Sequence, residues 1–79
     1  MTKKEFLNEL KKGYTVTIRY SSGKTFQGVV NVKSKEIVVD GLHVTITDIS
    51  NITKHENKYN TLIKFETENS ELCKAELKK

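Results

Sequence analysis

The chain has 79 residues, a formal net charge of +4 and one cysteine. A chain this short buries only about 60–65% of its unfolded surface, which argues against an enzyme with a deep, sequestered site. A lone cysteine excludes an internal disulfide, and no apolar run approaches the roughly 18–20 residues needed to span a bilayer.

The first element is a short helix within residues 1–12. Thr2 and Glu5 have the T-x-x-E spacing of a capping box, in which each side chain satisfies an orphan backbone N–H. Phe6, Leu7 and Leu10 line one face, Lys11 and Lys12 suit the negative C-terminal end, and Gly13 fits the left-handed C′ position. A basic start that turns acidic at Glu5 and Glu9 is not a signal-peptide pattern.

From Gly13 to Thr53 apolar and polar residues alternate in short segments, the mark of strands with one buried face. Tyr14, Val16, Ile18 and Tyr20 share a parity, and Ser21-Ser22-Gly23-Lys24 turns the chain into Thr25–Val32. Gly28, inside that second strand, reads as the corner at which it bends to serve both halves of a small barrel. Glu36–Val39 is a third strand, Asp40-Gly41 a two-residue hairpin turn, and Leu42–Thr47 a fourth strand. Asp48-Ile49-Ser50-Asn51 reads as one helical turn with Ile49 and Ile52 pointing inward, before a last short strand at Ile52-Thr53.

The polar stretch from His55 to Asn60 reads as a linker, and Thr61–Thr67 as a strand with Ile63 and Phe65 on one face. The tail admits two readings. Cys73, Ala75 and Leu77 alternate as a strand able to pair with Ile63 and Phe65, while a Ser70 cap, Glu71 and Lys78-Lys79 suit a helix. The whole is read as a single domain, residues 1–79, with a barrel over 14–54 and a C-terminal extension over 61–79. Its class is α+β, mostly β.

The segments Leu10–Tyr20, Gln27–Val30, Ile37–Val39 and Ile46–Ile52, with Gly23 and an Asp48-Ile49-x-x-Ile52 motif, resemble the barrel part of YolD-like proteins of Gram-positive bacteria and their phages. The resemblance covers about residues 5–54. It implies an SH3-like or Sm-like antiparallel barrel and an accessory role beside translesion DNA polymerases. The chain departs from that family in having no tryptophan and no proline.

No catalytic constellation emerges. The serines lack a nucleophile-elbow context, and Cys73 with His43 or His55 is the only drawable nucleophile–base pair. Neither C-x-x-C nor H-x-x-x-H spacing occurs, so no metal site and no cofactor is expected. The charge is uneven: residues 1–24 carry six bases against two acids, the whole excess of the chain. Lys11, Lys12, Arg19 and Lys24 are the candidate binding residues of this basic region, with nucleic acid as one partner class.

The abundance of lysine, asparagine and isoleucine matches AT-rich codons and points to a low-GC bacterium or its phage. The leading expectation is a cytoplasmic, non-enzymatic binding module docking on a host protein. The host protein would be a nucleic-acid enzyme that it assists or a defence nuclease that it inhibits. Homo-oligomerisation is left open and no membrane partner is expected.

Overall fold

In the computed structural model, which describes residues 1–68 and 71–78, the chain begins with helix α1 (Lys3–Leu10). The strands follow as β1 (Thr15–Tyr20), β2 (Thr25–Val29), β3 (Asn31–Val32), β4 (Glu36–Val39) and β5 (Leu42–Thr45). A 3-10 turn at Ile46–Asp48 leads to β6 (Ser50–Glu56), β7 (Asn60–Glu66) and β8 (Leu72–Lys78). The fold is mostly β, with one N-terminal helix and antiparallel sheets.

The helix is capped as its sequence dictates. The Glu5 amide donates to Thr2 Oγ1 and the Thr2 amide to Glu5 Oε1, each at 3.1 Å. Its apolar stripe buries Phe6 and Leu10 completely, and the Phe6 ring lies 5.1 Å from that of Phe65, centroid to centroid. A pair like this adds about 0.5–1.5 kcal/mol beyond area burial. The helix ends at Leu10, and the left-handed residue Gly13 (φ 83°) comes one position beyond the expected C′ place.

Two sheets share one core. The larger has the order β2-β1-β8-β7-β6 and the smaller β3-β4-β5; neither closes on itself. On the inner face of the larger sheet the register aligns Ile18 with Ala75 and Ala75 with Ile63, and Tyr20 with Cys73 and Cys73 with Phe65. Ile37, Val39 and Val44 of the smaller sheet join the same buried cluster, with Phe6 and Leu10 of α1. Tyr14, Tyr20 and Phe26 pack at its margin, half-buried, with Tyr20 and Phe26 edge to face at 5.9 Å.

Several local expectations meet a different outcome. The chain leaves the first sheet at Val30, not at Gly28, which stays within β2 where an added Cβ would stand 3.7 Å from Val39. Gly28 therefore marks the close approach of the two sheets. The helical turn lies at Ile46–Asp48, ahead of the expected Asp48–Asn51. Asn51 instead takes φ 51° in a bulge of β6, while Ile49 and Ile52 are buried as expected.

The segment His55–Asn60 is not a linker: β6 runs through Glu56 and a tight turn joins it to β7. Asn57 Oδ1 accepts from the amides of Tyr59 and Asn60, both at 2.9 Å, and forms the turn through its own side chain. The tail is strand β8, which settles the strand-or-helix alternative for residues 72–78; the proposed Ser70 cap and Lys79 lie outside the described residues. Residues expected as an extension thus supply β7 and β8 to the larger sheet.

Candidate functional site

The four basic residues singled out by sequence occupy two ends of β1. Lys11 is the helix C-cap and Lys12 follows it; Lys24 lies past the other end of the strand, in the hairpin loop. At about 3.3 Å per residue the six residues of β1 put roughly 20 Å between these ends. Lys12 Nζ is held by Glu9 Oε1 at 3.1 Å. Arg19 stands alone of the four on the outer face of the larger sheet, with Nη1 3.8 Å from Glu76 Oε2.

Lys24 sits at the same end of β1 as Arg19, its carbonyl accepting from the Tyr20 amide at 2.9 Å, but the cations that share the outer face with Arg19 come from the far end of the chain. Register sets Arg19 opposite Lys74 and Lys74 opposite Lys64. Adjacent strands lie about 4.8 Å apart, so three cations occupy a row roughly 10 Å long. Like charges directly opposite one another destabilise a sheet. Among the described residues neither Lys64 nor Lys74 has a carboxylate within salt-bridge distance.

A parallel row runs Gln27, Thr17, Glu76, Leu62, His55, and Thr17 is buried between its neighbours. Leu72 (56% exposed) and Val29 (61% exposed) are apolar side chains left on this outer face. The outward place of Lys64 was readable from the Thr61–Thr67 strand, with Ile63 and Phe65 inward, and that of Lys74 only through the strand reading of the tail: with Cys73, Ala75 and Leu77 inward, Lys74, Glu76 and Lys78 must point outward.

Shallow depressions mark the surface of the described residues, three of them near the residues discussed. One of about 460 Å³ lies against α1, lined by Met1, Glu5, Asn8, Glu9, Lys12 and Lys54. A polar one of about 290 Å³ has Tyr20, His43, Asp48, Thr67 and Glu71 among its lining residues. The third, about 380 Å³, lies at the Tyr20 end of the outer face between Arg19, Tyr20, Ser21, Leu72 and Lys74.

The drawable nucleophile fails on chemistry. Cys73 is 1% exposed, and burial pushes its thiol up to about 11, so almost no thiolate exists near neutrality. His55 lies on the outer face, across the sheet from Cys73, and His43 Nδ1 sits 3.2 Å from Glu36 Oε1 on β4. Among the described residues no group of three or more His, Cys, Asp or Glu is gathered closely enough to hold a metal ion. Among the described residues no helix is long and apolar enough to cross a membrane.

No protein-family model matches the chain, and no curated protein or solved structure shows significant similarity to it.

Proposed function

We propose that this protein is a non-enzymatic, cytoplasmic binding module on a small barrel-like scaffold of the SH3-like or Sm-like kind. It docks on a host protein, either as an accessory factor of a nucleic-acid enzyme or as an inhibitor of a defence nuclease. The observation that carries this reading is the outer face of the larger sheet, where exposed Leu72 borders the Arg19–Lys74–Lys64 row. Mixed apolar and cationic surface of this kind serves docking, with the apolar side chain as anchor and the charges as steering. The resemblance to YolD-like barrels supports the accessory role, and small size with a lysine-, asparagine- and isoleucine-rich composition supports a phage or mobile-element source.

The same cationic row favours a second reading, nucleic-acid binding. In that case Arg19, aided by Lys11, Lys12 and Lys24, contacts phosphates, and affinity falls steeply with salt.

Affinity capture from a low-GC Gram-positive lysate, with and without nuclease, separates the two. The module reading expects a stoichiometric protein partner that stays bound after nuclease treatment. Capture that disappears with nuclease transfers the assignment to nucleic acid. If Lys11, Lys12, Arg19 and Lys24 all changed to glutamate left oligonucleotide binding intact, the four would be removed from that second reading.

A further inference from the structure

Resting on the protein-binding reading, we propose that the Tyr20 end of the outer face receives an acidic peptide segment of the partner that carries one apolar side chain. Two features of the same surface point to this occupant.

The first is charge. Arg19, Lys74 and Lys64 stand directly opposite one another across three strands, an arrangement that costs stability in the free chain. Among the described residues only Arg19 of the three has a carboxylate within salt-bridge distance, Glu76 at 3.8 Å. An acidic ligand relieves that repulsion, so complementarity selects carboxylates laid across the row.

The second is the depression of about 380 Å³ beside the row. Leu72, 56% exposed, forms one wall and Tyr20 another, while Arg19 and Lys74 stand at the rim. Leu72 is not a loose tail residue: its carbonyl accepts from the Ser21 amide at 2.9 Å, extending the ladder past the end of β1. An apolar wall held this firmly, ringed by cations, is the arrangement of an anchor pocket with steering charges.

A phosphate backbone suits the surface less well. Readers of single strands stack bases on exposed aromatics; Tyr20, the aromatic at this depression, is half-buried with its ring edge to face on Phe26, and among the described residues the strands place no other Phe or Tyr on this outer face. Glu76 and Glu66 on the same face repel phosphates, whereas a peptide can set an uncharged residue opposite each of them.

A random nonapeptide library displayed on ribosomes and selected on the immobilised full chain tests the proposal. Enriched peptides are expected to carry one large apolar residue flanked by Asp or Glu. A synthetic member of that set, followed by fluorescence anisotropy, should bind at least tenfold more weakly to Lys74→Glu and to Leu72→Ser. It should bind equally to the exposed-loop control Lys35→Glu, and should shift the amide NMR signals of Arg19, Leu72 and Lys74. Unchanged melting temperatures show that the variants are folded.

Failure to enrich, enrichment of peptides without acids, or shifts confined to other surfaces would overturn the assignment. Tighter binding of a twelve-residue oligothymidylate through the same residues would also overturn it. A nuclease-resistant partner that stays bound to both Lys74→Glu and Leu72→Ser would refute this surface while leaving the module reading intact.

Discussion

Glu9 ties the helix to the larger sheet through a single carboxylate oxygen. Its Oε1 accepts from Lys54 Nζ at 3.0 Å and from Lys12 Nζ at 3.1 Å, in a side chain only 14% exposed. The Lys54 ammonium, with Lys12 adding to it, holds the carboxyl below its ordinary 4.5 despite partial burial. A carboxylate lowered on folding contributes stability above its unfolded pKa and loses it as pH falls through the folded one. Glu9→Gln is therefore expected to lower the melting temperature by roughly 5 °C at pH 7, the loss of one ordinary ion-pair hydrogen bond in a small domain. The gap to the parent should close as pH falls below 4.5; a gap unchanged at low pH would assign the effect to packing instead. Cys73 gives a second residue-scale test. With its thiol pushed up to about 11 and 1% exposed, it should react with a disulfide reagent at pH 8 at least a hundredfold more slowly native than denatured. Equal rates would mean that β8 frays from the sheet. The inward place of Cys73 could be read from alternation, but the bond between Glu9 and Lys54 could not, because 45 residues separate the partners.

Turns show why some elements were legible and others not. Asp40 (φ 48°) and Gly41 (φ 80°) occupy the two left-handed positions that a two-residue hairpin demands, so this turn follows from local chemistry alone. Nothing lies within 4 Å of a Cβ built on Gly41, so Gly41→Ala should cost only the backbone strain, about 1–2 kcal/mol. Gly28 answers to a different cause. Its backbone is not left-handed and a Cβ there makes ordinary contact with Val39, so Gly28→Ala should leave stability within about 0.5 kcal/mol of the parent or raise it. Urea unfolding of both variants checks the pair, and a destabilised Gly28→Ala would restore the corner that the sequence pattern led us to expect there. The hairpin at Asn57–Asn60 was missed for a related reason. Its signal is one asparagine side chain folded onto two amides, and polar composition alone does not separate that from a linker. The tail was ambiguous because helix capping and strand alternation are both local, whereas its pairing with β1 and β7 is not.

At the scale of the molecule, β8 decides whether there is a fold at all. It lies between β1 and β7, pairing Thr15 with Lys78 on one side and Glu66 with Leu72 on the other. No local pattern in residues 14–54 announces this, and a self-contained barrel over that span has no counterpart in the two open sheets. Deleting residues 72–79 removes Cys73, Ala75 and Leu77 from the core and leaves the facing backbone groups of β1 and β7 without partners. Burying one leucine-sized side chain is worth about 1.5–3 kcal/mol, and each buried backbone group left unpaired costs about 1–3 kcal/mol. A domain of this size has only roughly 4–12 kcal/mol of stability to lose. The truncated chain should therefore show no cooperative thermal transition by circular dichroism. A sigmoidal melt in the truncated chain would mean that residues 1–71 form their own core, and β8 would become a removable strand. The same topology makes the cationic row a product of long-range pairing, since Lys74 stands opposite Arg19 only where β8 pairs with β1. Docking through that row then requires the completed sheet, and the truncated chain should also fail to bind any peptide selected on the intact one.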